Sequence, residues 1–427
     1  MPRVLMLCYY YPPIIASGVT RSLAFSEHLP EFGWEPLILS VNRSKDPWVK
    51  SGSEVPDWVT IERTNEWNFA GLCDLLHAGA CAAFRLFKKD LKTNYFREWL
   101  ALPDTQIAWL SSAAGVKLAS TCDIIYASCS PFSSALSGCM IAGRTRKPLV
   151  VDFRDAWSLN PHSPHGWLHQ TAIRMMEQKV VRQADRVILN TNGAGELYKK
   201  TYPQYAQKFV VIPNGYDELT PVKPNTAPDA PFRILHLGSF YGERSPRVLL
   251  EALAELPELP IEFVQIGGSF DCADEFKNRV KMSISPAVPR EEALRRMTQA
   301  SLLYLKQGFE KGVSRDIAVA AKTYEYLGTG LPILAELPPG DNSDIIQKYA
   351  GKAFIINSPD KEALKRAVRE AFEARNSTEP AVSHDFVRDF NRRGLTKRLA
   401  DIFNELRAVS PSHQRTAFTV PKPRPEY

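Results

Sequence analysis

Lys322 and Glu325, three positions apart in KTYEYLGTGLPIL, are the pair in this chain best suited to chemistry. Residues at i and i+3 of a helix share a face, so a cation and a carboxylate point the same way. Gly328 and Gly330 are expected to end that helix, Pro332 bars its continuation, and PILAEL reads as the next strand. At the mouth of a strand–helix unit the ammonium can meet a diphosphate while the carboxylate accepts from ribose hydroxyls, which suits a nucleotide sugar. The competing reading is an exposed intrahelical ion pair.

Three further clusters have the right residue types. ILHLGSFYGERSPRVLLEAL reads strand, loop, helix, with Ser245 as N-cap and Pro246 at the first helical position. Gly238 and Gly242 let backbone pass close to a ligand, Ser239 lies in the same donor-binding loop, and Arg244 supplies a forked donor for phosphate oxygens near a helix amino terminus. Earlier, Ser17-Gly18 precedes a helix that should stop near Gly33. Gly18 would allow close approach to a sugar or diphosphate, and Arg21 is either a second cation or half of a buried ion pair. Arg154 and Asp155 follow PLVVDF and should project from a strand's carboxyl end, where open α/β sheets bind ligands, while Asp152 reads as structural. The eight histidines lack metal-ligand spacing and no GxSxG elbow exists, so neither a metal cofactor nor a Ser–His–Asp site is implied.

These residues need scaffolding, and the apolar runs supply it. Short Val/Ile/Leu-rich runs at 4–10, 36–41, 123–128, 148–153, 186–191 and 208–213 suit parallel strands buried on both faces. A proline-rich stretch follows, and the pattern restarts at 232–238, 261–267, 301–305, 331–337 and 353–357. The expected fold is α/β: two doubly wound, Rossmann-like domains facing a cleft. The first spans 1–216 with an insertion at about 42–103; a linker covers 217–231, the second domain 232–386, a helical region 387–409, and a disordered tail 410–427. The insertion is rich in Trp, Phe and basic residues. It reads as packing on its own domain, or as an acceptor-site flap or a membrane-surface contact in which Arg85, Lys88, Lys89 and Lys92 would face an anionic membrane or a lipid-linked acceptor.

Composition excludes several classes. With 53 basic and 47 acidic residues the imbalance is too small for a nucleic-acid binder, and no basic–aromatic repeat supports one. The seven cysteines form no CxxC pair, and an odd number argues against a disulfide framework, which favours the cytoplasm. VLMLCYYYPP lacks a cleavage site and reads as a first buried strand rather than a signal peptide, and no apolar run is long enough to span a bilayer.

In order along the chain, VLMLCYYYPP…SGVTRSLAFSEHLPEFGWEPLIL, DIIYASCSPFSSALSG, PLVVDFRDAW, ADRVILNTNGAGELY, FVVIPNGYDE, ILHLGSFYGERSP and KTYEYLGTGLPIL resemble the GT-B glycosyltransferases of the large family-four group of retaining enzymes. The resemblance implies a nucleoside-diphosphate sugar held by the carboxy-terminal domain and a glycan or lipid-linked acceptor held by the amino-terminal one. It also implies a last helix crossing back to the first domain, and work at the inner membrane face in cell-envelope polysaccharide assembly. Arg244 and Lys322 would face the diphosphate, Glu325 the ribose, Gly18 the sugar, and Asp155 with Arg154 the hydroxyls of acceptor or donor. Two departures stand out. Many relatives carry a first glutamate eight positions before the second; this chain has Ile317 there, with Asp316 beside it, so Asp316 and nearby loop amides are expected to share that role. Arg154 replaces a histidine found in many relatives. A non-hydrolysing nucleotide-sugar epimerase and a non-catalytic nucleotide-binding scaffold share the fold and remain rivals.

Overall fold

The computed structural model describes residues 1–16, 18–43, 50–51, 54–85, 101–109, 111–161, 166–217, 231–309, 312–376 and 381–409. Residues 218–230 of the expected linker, the expected tail, and the lysines at 88, 89 and 92 lie outside these residues.

Each expected apolar run contains a strand. The first seven-stranded sheet comprises β1 (Arg3–Leu7), β2 (Glu35–Val41), β3 (Thr60–Thr64), β4 (Ile124–Cys129), β5 (Leu149–Phe153), β6 (Arg186–Leu189) and β7 (Phe209–Val211), in the order β3-β2-β1-β4-β5-β6-β7. The second comprises β8 (Phe232–Leu237), β9 (Ile261–Ile266), β10 (Met282–Ser285), β11 (Leu302–Lys306), β12 (Ile333–Glu336) and β13 (Ala353–Ile356), in the order β10-β9-β8-β11-β12-β13. Strands β1–β4 and β8–β13 pair in parallel register. Both orders reverse direction beside the first strand of their sheet, which creates the switch point where such folds place ligands. The α/β class with two Rossmann-like sheets is thus observed.

Two strands of these sheets are not visible in the sequence pattern, β3 and β10, and a short antiparallel pair outside them, Ile14–Ile15 with Lys50–Ser51, is not visible either. Strands β3 and β10 are sheet edges whose residues are largely exposed or half-buried, so no apolar run marks them. β3 belongs to the segment read as an insertion and joins the first sheet beside β2, and the helix Phe69–Arg85 follows it. That helix buries Cys73 and exposes Leu72, Leu75 and Leu76.

The described residues gather into two compact units: Met1–Asp152 with Met175–Val187 and the segment from Thr396, and Phe153–Arg174 with Ile188–Leu395. In the second unit, alternate strand residues face opposite sides. Ile234, Phe263, Leu302 and Leu334 pack with the helices Arg247–Ala254 and Lys361–Glu373; Leu235, Leu303, Leu305 and Ile333 pack with Ala321–Thr329, Asp341–Tyr349 and His384–Phe390. This two-sided burial is why the strands read as unbroken apolar runs. In the first unit the last helix, Arg392–Val409, supplies buried Phe403 against Trp34 and Tyr126, with ring centroids 5.2 and 6.3 Å away. The Trp34 Nε1–H donates to Asn404 Oδ1 at 3.0 Å. The last helix among the described residues therefore returns to complete the first sheet's core. All seven cysteines are free thiols, and among the described residues no helix is long and apolar enough to cross a membrane.

Candidate functional site

The carboxyl end of β8 runs through His236 and Leu237 into Gly238, and the helix Ala321–Thr329 carries Lys322 to the same place. Lys322 Nζ lies 2.9 Å from His236 Nε2. His236 Nδ1 is 2.8 Å from Gln265 Oε1, and Gln265 Nε2 donates to the Gly238 carbonyl at 2.7 Å. The parallel register of β8 and β9 sets His236 directly beside Gln265. Two glycines make the corner. Gly238 has φ +101°, and a Cβ there would stand 3.1 Å from Lys322 Nζ; Gly267 has φ +140°, and its Cβ would strike the Gly238 backbone at 2.5 Å. Only glycine meets both demands.

Charge follows geometry. Burial, and then the neighbouring Arg244, lower the Lys322 pKa to about 8 against the opposing pull of Glu325. Burial, and then Lys322, hold the His236 pKa well below the usual imidazole range, so the ring is neutral. Lys322 thus keeps a positive charge near neutral pH with a neutral partner at 2.9 Å. Glu325 turns instead to Arg290, at 3.2 Å. The intrahelical Lys322–Glu325 ion pair considered from the sequence gives way to these two separate partners. Arg244 lies over the Tyr241 ring, 4.6 Å from its centroid, with a hydrogen bond to the Tyr241 hydroxyl. Ser239 Oγ donates to the Gly267 carbonyl at 3.0 Å. The helix bearing Lys322 has no side-chain cap. A half-buried ammonium, a second cation and an uncapped helix start can together hold a dianion.

The other expected residues are placed as follows. Asp316 is 2% exposed in the irregular stretch 312–320, and its Oδ1 accepts from the Ala318 N–H at 2.9 Å. Its backbone is clamped as well: N donates to Pro339 O and O accepts from Asp341 N, both at 2.9 Å. The neighbouring Ile317 carbonyl accepts from Thr191 Oγ1 at 2.9 Å. The buried side-chain bonds Thr323–Asn342 and Asn342–Gln307, each 2.7 Å, link the start of the Lys322 helix to the end of β11, and Gln307 Nε2 donates to Ala318 O at 3.4 Å. Arg154 and Asp155 follow β5 directly, the first half-buried with its carbonyl accepting from Asn190, the second exposed. Gly18 is buried at the start of the helix Val19–His28 with ordinary helical angles. Arg21, read from the sequence as ligand cation or ion pair, is 6% exposed and forks onto Asp152, Nε–Oδ2 2.7 Å and Nη2–Oδ1 3.1 Å. Tyr126 also donates to Asp152. This is the ion-pair alternative. Ser245, expected as a helix cap, spends its hydroxyl on Asp271 at 3.1 Å, and the helix Arg247–Ala254 starts without a side-chain cap.

So Gly238, Ser239, Arg244, Lys322 and Glu325 form one neighbourhood, whereas Asp316 belongs to an adjoining buried network. His236 and Gln265 are the residues sequence reading missed. Their signal was a polar residue two positions before a glycine in otherwise apolar runs, ILHLG and FVQIG. Among the described residues, no three of His, Cys, Asp and Glu gather into a set able to hold a metal ion.

Residues 19–215 match the model of the glycosyl transferase 4-like domain. None of the curated protein sequences matches the chain. Among solved structures, sucrose-phosphate synthase from Thermosynechococcus elongatus aligns with a TM-score of 0.63 at 15% identity, covering 96% of this chain and 100% of that one. HepE from Anabaena, in complex with UDP and glucose, gives 0.60 at 14%, covering 94% and 99%. The lipopolysaccharide outer core galactosyltransferase WaaB, in its apo form, gives 0.56 at 13%, covering 95% and 100%. At these identities the likeness establishes the fold, the GT-B architecture of two Rossmann-like domains.

Proposed function

We propose that this chain, a GT-B-type glycosyltransferase by its amino-terminal domain and its fold, moves a hexosyl group from a nucleoside-diphosphate sugar to a glycan or lipid-linked acceptor with retention at the anomeric carbon. The observation that carries the reading is Lys322: a half-buried ammonium seated over Gly238 at the sheet's switch point, with Arg244 near it and a neutral histidine as its partner. HepE, of the same fold, holds UDP and glucose, which supports a nucleotide-sugar donor here.

In this chemistry the barrier is charge separation between an oxocarbenium-like sugar and a departing diphosphate. Lys322 and Arg244 stabilise the charge that grows on the diphosphate. Glu325 accepts from the ribose, Gly238 and Ser239 line the phosphate loop, and Gly18 forms the floor facing the sugar. The leaving phosphate itself takes the acceptor's proton, so no protein base and no metal is needed; Asp155 and Arg154 orient hydroxyls. A lipid-linked acceptor would set the enzyme at the inner face of the membrane in envelope polysaccharide assembly, a reading supported by the fold shared with WaaB and by the basic residues Arg85, Lys88, Lys89 and Lys92.

The deciding experiment is incubation with a panel of UDP-, GDP- and ADP-sugars and candidate acceptors, with products resolved by mass spectrometry and NMR. Transfer with the donor's anomeric configuration kept is expected. Epimerised donor would make the chain an epimerase, and binding without turnover a scaffold.

Asp316, with the amides of 313–315, stands in for the carboxylate missing at Ile317. Asp316→Asn keeps the carbonyl oxygen that accepts from Ala318, so the loop survives the substitution. Turnover is expected to fall about tenfold while nucleoside-diphosphate affinity stays within roughly twofold, the pattern of a contact made in the transition state. Unchanged kinetics would remove Asp316 from the site.

A further inference from the structure

The hydrogen-bond chain behind Lys322 has a fixed direction. A carbonyl cannot donate, so Gln265 must offer its NH2 to the Gly238 oxygen, 2.7 Å away. Its Oε1 then faces His236 Nδ1 at 2.8 Å, and since that oxygen only accepts, Nδ1 carries the ring proton. A neutral ring protonated at Nδ1 has a lone pair at Nε2, and Nε2 lies 2.9 Å from the lysine nitrogen. His236 and Gln265 are 1% and 0% exposed, and the imidazole stacks on Phe240 with centroids 3.9 Å apart, so the ring can neither turn away nor exchange its partner for water.

Resting on the donor reading above, we infer that His236 and Gln265 are positioning residues for the diphosphate-binding lysine: a neutral relay anchored on the Gly238 carbonyl holds the Lys322 ammonium without cancelling its charge. A carboxylate at the same distance would orient the lysine equally well but would neutralise it and repel a diphosphate. The charged and titratable groups around the relay fit this role. Lys322 faces Arg244 from the loop after β8 and Glu325 from its own helix, Glu325 is drawn to Arg290, and from β11 His236 meets the Tyr304 ring with centroids 6.1 Å apart. Imidazole is the neutral acceptor that a cation-rich pocket tolerates.

Three variants separate positioning from packing. His236→Phe keeps a ring against Phe240 and removes the acceptor; His236→Gln restores an acceptor near the Nε2 position; Gln265→Leu releases the tautomer. Nitrogen NMR of histidine-labelled, ligand-free protein, with the His236 signal assigned by its loss in His236→Phe, should show the neutral Nδ1–H tautomer at pH 7 and its loss in Gln265→Leu. The pH midpoint for acetylation of Lys322, read by mass spectrometry, should fall in His236→Phe, because the ammonium loses its acceptor, and return in His236→Gln. Calorimetric titration with UDP should show binding about tenfold weaker in His236→Phe, the usual loss for a hydrogen bond to a charged group, with rescue in His236→Gln. An Nε2–H or doubly protonated ring in the wild type, an unmoved acetylation midpoint, or wild-type UDP affinity in His236→Phe would overturn the relay. Wild-type protein that binds none of UDP, GDP and ADP would overturn the donor reading instead, and the tautomer and acetylation results would still decide whether the relay positions Lys322.

Discussion

Replacing Lys322 with alanine is expected to lower turnover about a hundredfold while the protein stays folded. In the proposed mechanism the ammonium faces the diphosphate charge as it develops, and loss of one such contact costs on the order of 3 kcal/mol in the transition state. Its structural contribution is small by comparison. It leans on His236, and the neutral ring left behind keeps its bond to Gln265. Arg244→Ala should follow the same pattern, because Arg244 is anchored on the exposed Tyr241 rather than in the core. A pH profile adds a second check. The lysine is charged below its lowered pKa of about 8 and neutral above it, so affinity of the ligand-free enzyme for a nucleoside diphosphate should fall as pH rises through that value. That fall should vanish in Lys322→Ala. Near-normal turnover in the alanine variant, measured with the donor that the wild type uses, would remove Lys322 from the mechanism.

The largest effect on stability is expected at Asp152→Ala. The carboxylate is fully buried on β5 of the first sheet and takes two bonds from Arg21 and one from Tyr126. Removing it takes the counter-charge from a buried guanidinium that also lies over the Phe25 ring, 4.8 Å from its centroid. Breaking a buried pair from one side typically costs about 3–5 kcal/mol, whereas replacing both partners with apolar groups of similar volume is often nearly neutral. Denaturant melts should therefore rank the single variant far below the double variant Arg21→Met/Asp152→Leu. The double variant also tests Arg21 as a ligand. If it folds and keeps its donor and acceptor affinities, Arg21 is architecture; if it folds and loses them, the guanidinium reaches substrate after all. Equal stability of single and double variants would show that the pair does not carry the energy assigned to it.

The sequence disclosed these features unevenly, for physical reasons. Strands buried on both faces announce themselves because most of their residues must be apolar, so each interior strand was visible. The edges Thr60–Thr64 and Met282–Ser285 were not, because an edge strand takes much of its order from a neighbour rather than from its own composition. In the site, Gly238, Arg244, Lys322 and Glu325 were legible as residue types in loops and at a helix start, where polarity needs a reason. What each one touches was not. His236 meets Gln265 through a register fixed by strands 29 residues apart, and Arg290 reaches Glu325 from 35 residues away. Arg21 and Asp152, 131 residues apart, became a pair only through the fold. Local pattern predicts which groups are present; the sheet decides which meet.

The return of the last helix to the first sheet has a consequence for how the protein is made. Trp34 and Asn404, hydrogen-bonded in the folded molecule, are 370 residues apart in the chain. At synthesis rates of about 5–20 residues per second, roughly 20 to 70 seconds separate their appearance. Throughout that interval the nascent first unit lacks Phe403 and leaves Trp34 and Tyr126 uncovered on that side. The second sheet, encoded without interruption from Phe232 to Ile356, has all its strands by then. The first sheet's core is thus completed only after every strand of the second sheet has been made, and until Phe403 emerges its aromatic side chains lack that cover.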